Sequence, residues 1–187
     1  MTFHPLSFYH IYNRGNNSQQ IFFKDENYSY FLKKIRKHLR PHCQILAWCL
    51  MPNHFHLLIY TDSHNSSEVN SSEIQMAIAT ILRSYTRAIN NQENRTGSLF
   101  QQKTKSKEIK DVTTCFHYIH QNPVRSKLVN SMDQWSFSSY LDYCGKRKGS
   151  LINRAMAHKY LDIARSPSEF EDESKKVIQD SAKDKFF

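Results

Sequence analysis

The chain has 187 residues, a formal net charge of +9, 13% aromatic residues and only four glycines. That length suits one domain with a real hydrophobic core plus an appendage, and the scarcity of glycine argues against a glycine-rich nucleotide-cradling fold and against low-complexity disorder. The basic balance favours polyanionic partners, nucleic acid first and an anionic membrane second, although a basic protein with no such partner has the same composition.

Residues 7–13 (SFYHIYN) are aromatic and β-branched with partial alternation, which predicts a strand, and Arg14-Gly15-Asn16-Asn17 is turn chemistry. Asp25 can cap a helix whose apolar positions are Tyr28, Phe31, Leu32, Ile35 and Leu39, with Pro41 as its stop. Residues 43–50 (CQILAWCL) and 54–60 (HFHLLIY) predict two strands of a hairpin about a Met-Pro-Asn turn. After the polar loop 62–70, Ser72 and Gln75 form a capping box for a long helix with Ile74, Ile78, Ile81, Leu82, Tyr85 and Ile89 on one face. Residues 99–109 (LFQQKTKSKEI) predict an exposed strand. Asp111 caps a short helix from Val112 to about Gln121, ended by Pro123.

The order β-α-β-β-α-β-α predicts an α+β domain with a ferredoxin-like split βαβ antiparallel sheet and helices on one face. The aromatic stretch 135–143 is expected to pack back on the core. The domain is placed at 1–145, and residues 146–187 form a C-terminal helical extension whose charged end after Ser166 is disordered or a loose amphipathic helix.

Cys43, Cys49, Cys115 and Cys144 form no C-x-x-C pair and suit neither a zinc knuckle nor a disulfide framework, so reduced, partly buried thiols of a cytoplasmic protein are expected. MTFHPLSFYH lacks the pattern of a signal peptide. No apolar run approaches the roughly 20 residues of a bilayer span, so no membrane partner is expected.

The chemistry starts at MPNHFHLLIY. Residues i and i+2 of a strand share a face, so His54 and His56 point one way while Phe55 points the other. Two readings fit: a pair of metal ligands, or two histidines each satisfied by hydrogen bonds. On the helix after Asp111, Val112, Cys115, Phe116 and Ile119 form the apolar stripe. Tyr118 lies at its flank, with Asn122 one turn further on the same face. Lys103, Lys105 and Lys107 alternate along the predicted strand and, with Arg125 and Lys127, could track a phosphate backbone; a solvated edge strand guarded by lysines explains the same pattern. Asn13 and Arg14 could hold a phosphate or an unpaired base.

MPNHFHLLI, LFQQKTKS and YIHQNPVRSKLV occur in that order, between FYHIYNRGNN and WSFSSYLDY. Over about residues 8–145 the chain thereby resembles the REP-associated tyrosine transposases, relatives of the single-tyrosine insertion-sequence transposases within the HUH endonuclease superfamily. The resemblance implies a ferredoxin-like domain that nicks single-stranded DNA at hairpins of repetitive extragenic palindromes. It implies Tyr118 as the nucleophile of a 5′-phosphotyrosine intermediate, and His54, His56 and Asn122 as ligands of a divalent ion, Mg²⁺ or Mn²⁺ by the mixed imidazole and amide donors. It also implies a monomer acting in cis rather than a dimer that swaps its catalytic helices. The chain departs from the family at Gln102-Lys103-Thr104-Lys105, where Gly-Arg-Phe-Lys is usual. A catalytically silent repeat-DNA-binding protein on the same fold is the alternative. A zinc hydrolase built on His54 and His56 lacks a further carboxylate or histidine at suitable spacing.

Overall fold

The computed structural model describes residues 1–62 and 71–176. Four strands, β1 (Ser7–Arg14), β2 (Gln44–Met51), β3 (His54–Thr61) and β4 (Lys105–Glu108), form one antiparallel sheet in the order β2-β3-β1-β4. The helices are α1 (Asp25–Lys34), α2 (Ser71–Gln92), α3 (Val112–Arg125), α4 (Tyr140–Tyr143), α5 (Arg154–Tyr160) and α6 (Pro167–Ser174). This is the expected α+β split βαβ arrangement. No helix among the described residues is long and apolar enough to cross a membrane.

One face of the sheet carries the main aromatic core. Phe55 of β3 packs on Phe31 of α1 and on Phe100, and Tyr85 of α2 packs on Phe22 and Phe31. The Tyr85 hydroxyl donates to the buried Ile21 carbonyl at 2.7 Å, so the ring brings its own polar end into the core satisfied. The helical spacing of Ile74, Ile78, Ile81 and Ile89 places all four in the same buried layer.

The expectation of helices on one face is corrected. α1 and α2 cover the Phe55 face, whereas Tyr118 of α3 meets His56 on the opposite face. A strand alternates, so a helix that touches the histidines must lie across the sheet from the phenylalanine between them. Several element boundaries also differ from those expected. β4 starts at Lys105 rather than at 99, because Leu99 and Phe100 are both buried and a half-exposed strand cannot bury consecutive residues. α3 runs through Pro123 to Arg125; the proline falls in the last turn, where its missing N–H costs a single bond to the Ile119 carbonyl. The side chain of Gln75 donates to the Ser71 hydroxyl at 3.2 Å, and that serine hydroxyl also accepts from the Phe3 backbone N–H at 3.0 Å.

The aromatic stretch covers the outer edge of β2. Backbone N–H groups of Leu50 and Ser139 donate to Phe137 and Trp48 carbonyls, and Phe137 stacks on Tyr28 with centroids 3.8 Å apart. An edge strand is thereby protected from foreign pairing. Beyond it, the Asn153 N–H donates to the Ile45 carbonyl at 2.8 Å. α6, expected as disordered or loose, is docked: Phe170 is 1% exposed and packs on Phe116 and Tyr143. The part of that tail from 177 to 187 lies outside the described residues. All four cysteines are buried and free.

Candidate active site

The tight β2–β3 hairpin puts Pro52 and Asn53 at its tip, and the tip is anchored from both sides. The Gly15 N–H donates to the Asn53 carbonyl at 2.8 Å, and those of Ile21 and Phe22 to the Pro52 carbonyl at 2.8 and 3.1 Å. Gly15 itself sits so close to the Gln19 carbonyl oxygen that a Cβ would collide with it. This fixes the start of β3, where His54 Nδ1–H donates to the Asn53 side-chain oxygen at 2.6 Å. The rings of His54 and His56 leave the sheet on one face, with centroids 5.0 Å apart and planes at 86°.

Behind His56 stands a residue the sequence reading missed. His10 of β1 is fully buried, and its Nε2 lies 2.9 Å from His56 Nδ1. Nδ1 of each ring is therefore engaged, which leaves Nε2 as the atom each could offer to a metal ion. Burial, with help from the Arg14 guanidinium, lowers His54 to about 4. Burial likewise pushes His56 well down, followed by the repulsion of His10, His54 and Arg14. Both imidazoles are neutral at pH 7, the form that binds a metal ion.

α3 supplies the other wall. Its N-terminus is capped by Asp111, whose carboxylate accepts from the Thr114 N–H at 3.2 Å. The Tyr118 ring meets His56 edge-on at a centroid distance of 6.4 Å, and the Arg125 guanidinium lies 5.5 Å from the Tyr118 ring centroid. One turn on, Asn122 Nδ2 donates to the Tyr118 carbonyl at 2.8 Å, fixing the amide so that Oδ1 is the atom it can offer to a cation.

These groups open onto one cavity of about 490 Å³. His54, His56, Tyr118, Asn122, Asn13, Arg14, Lys103, Lys105 and Arg125 all line it. Lys107 does not: it lies on β4 opposite His10, and Lys103 stands outside the strand, so the three lysines do not share one strand face. Asn13 is 3% exposed and its Nδ2 donates to the Gln101 carbonyl and the Thr104 hydroxyl. It holds the 101–104 segment beside the cavity. Tyr12 and Gln101 also line the cavity and were missed. The signal for Tyr12 and His10 was present: residues 10, 12 and 14 share a face of β1, and antiparallel pairing sets Tyr12 against His56 and Arg14 against His54.

His117 and His120 turn away from the cavity. His117 Nε2 pairs with Glu173 at 3.1 Å and His120 Nε2 with the Ser139 hydroxyl at 2.8 Å. Gln121 Nε2 donates to the carbonyls of Ser174 and Lys176 at 2.9 and 2.8 Å. The rear of α3 is thus gripped by α6 and the residues after it.

The model for IS200-like transposases matches residues 5–122. The chain belongs to this family. The match ends at Asn122, so it includes both histidines, Tyr118 and the asparagine of this IS200-like transposase. No curated protein sequence matches the chain. Among solved structures, a REP-associated tyrosine transposase bound to a REP hairpin aligns with a TM-score of 0.60 at 20% identity over 96% of both chains. That likeness shows a shared fold. Two bacterial tRNA(His) guanylyltransferase-like proteins, in complex with GTP and with ATP, align at a TM-score of 0.47 with 6% and 8% identity. They cover 68% of this chain and 67% and 61% of theirs, a likeness too slight to carry an argument.

No group of three or more histidine, cysteine or carboxylate side chains among the described residues could hold a metal ion. The donor set at the cavity is instead two neutral imidazoles and one amide oxygen. Such a mixed set could hold a divalent ion while leaving coordination positions open to water.

Proposed function

We propose that this transposase nicks and rejoins single-stranded DNA next to a repeat hairpin, with Tyr118 as the nucleophile. One observation carries the reading: the phenol of Tyr118, the imidazoles of His54 and His56, the amide of Asn122 and the guanidinium of Arg125 line a single cavity. In this reading the Tyr118 oxygen attacks the scissile phosphorus in line. The P–O3′ bond breaks, the 3′ oxygen leaves as a hydroxyl and the phosphate remains on the tyrosine as a 5′-phosphotyrosine. The phosphoester keeps the bond energy, so a returning 3′-hydroxyl can reverse the step and join strands.

A divalent ion held by His54, His56 and Asn122, Mg²⁺ or Mn²⁺, would polarise the non-bridging phosphate oxygens. Arg125 adds a fixed positive charge 5.5 Å from the centre of the phenol ring. Arg14, Lys103 and Lys105 supply contacts to the phosphate backbone at the cavity mouth. The chain's own Tyr118 stands beside its own His56, which supports a monomer acting in cis. The hairpin as substrate is drawn from the fold shared with the REP-hairpin-bound transposase.

Incubation of the protein with a hairpin oligonucleotide and Mg²⁺ or Mn²⁺ tests the reading. The expected result is a covalent protein–DNA band on a denaturing gel, lost with EDTA and in Tyr118→Phe, while Tyr118→Phe still binds the oligonucleotide. A wild-type protein that binds the hairpin but forms no adduct with either ion is a silent binding protein. A Tyr118→Phe protein that nicks at the wild-type rate overturns the assignment of the nucleophile.

A further inference from the structure

A second, larger depression of about 1100 Å³ runs between α2 and residues 95–104. It adjoins the active-site cavity: Asn13, Gln101 and Lys103 line both. Its charged lining among the described residues is Arg83, Arg87, Arg95 and Lys103, with no aspartate or glutamate. Arg83 and Arg87 are exposed and stand four residues apart on one face of α2, and no carboxylate pairs with either among the described residues.

Arg95 adds a different kind of evidence. Its Nη2 donates to the Gln19 side chain and the Ser98 carbonyl at 3.2 and 3.4 Å, but its Nη1 is buried with no acceptor among the described residues. A buried guanidinium N–H with nothing to donate to is costly, and an anionic oxygen arriving in the groove would remove that cost. The rest of the lining is rich in amides, with Asn90, Asn91, Gln101 and Gln102 beside the apolar Leu82. A duplex hides the base edges that amides can pair with, whereas a single strand offers them together with its phosphates.

We propose that this groove is a track for the single-stranded DNA that flanks the cleavage site, leading out of the active-site cavity across residues 101–103 and along α2. The inference rests on the DNA-nicking reading for the location of the strand, but its test does not need cleavage. Arginines 83 and 87 would each neutralise a phosphate, and each such contact on a single strand adds about 0.7 to the slope of log affinity against log salt.

The test measures affinity in the Tyr118→Phe background for three oligonucleotides with one hairpin and cleavage site. One is minimal, one has single-stranded extensions of the flank, and one carries the same added length as duplex. Arg83→Gln/Arg87→Gln, which keeps helix-forming side chains, is compared with its parent, and unchanged helicity by circular dichroism serves as the folding control. The expected result is an affinity gain on single-stranded extension in the parent. In the variant the salt slope of the extended oligonucleotide falls by about 1.4, equivalent to a loss of order 25-fold between 1 M and 0.1 M salt. A parent that gains nothing from extension, a gain from duplex alone, or a variant that keeps the full gain each overturns the groove. Absence of adduct in the wild type would overturn the nuclease reading and leave these affinities to decide the groove by themselves.

Discussion

Replacing His10 by alanine is expected to weaken metal binding although His10 touches neither metal nor DNA in the proposed arrangement. Its Nε2 sits 2.9 Å from Nδ1 of His56, and the two rings are 0% and 2% exposed. For His56 to offer Nε2 to a cation, its proton must stay on Nδ1, and the acceptor that keeps it there is His10. Loss of such an outer partner costs about 10- to 100-fold in metal affinity, or about 1.4–2.7 kcal/mol. Leaving the buried Nδ1–H without an acceptor costs a further ~1–3 kcal/mol of folding stability. The assay is Mn²⁺ binding followed by electron paramagnetic resonance, alongside urea unfolding, for wild type, His10→Ala and His10→Gln. The glutamine can restore an acceptor and is expected to recover much of the Mn²⁺ affinity. A His10→Ala protein with wild-type Mn²⁺ affinity would refute the orienting role. Equal affinity losses in alanine and glutamine variants would reduce it to packing.

Two further predictions concern the same face. His54 is depressed to about 4 against an ordinary value near 6.5, so the unfolded chain takes up its proton first as pH falls. Stability is therefore expected to be level above pH ~6.5 and to drop between there and pH 4; urea midpoints at pH 7.5, 5.5 and 4.5 that agree with one another would contradict the burial of this ring. Gly15→Ala should destabilise by about 1–3 kcal/mol, because its Cβ collides with the Gln19 carbonyl and the strain passes into the turn that precedes His54. An unchanged melting temperature by calorimetry would show that the turn yields freely.

How much of this was legible depended on whether a signal was local. Helical spacing exposed the buried face of α2, and the Asp111 cap marked the start of α3, because both are properties of a few consecutive residues. The same-face rule brought His54 and His56 together, and the four-residue spacing of Tyr118 and Asn122 placed those two on one side of their helix. What failed was information held by other parts of the chain. Pro123 looked like a stop, yet the helix had one turn left to run. Residues 99–104 looked like strand, yet Leu99 and Phe100 both turn inward. His10 carried no motif at all; only the pairing of β1 with β3 shows that it stands behind His56. The face crossed by α3 likewise follows from packing, not from periodicity.

The grip of α6 on the rear of α3 has a consequence for how two copies of this protein could share their parts. Exchange of catalytic helices between subunits would require α3 to leave its own sheet. Here that departure must also break the His117–Glu173 pair, release the two carbonyls held by Gln121 and uncover Phe170. If Tyr118 is the nucleophile, the last stretch of described chain would act as a lock on ownership, tying it to the histidines of its own sheet.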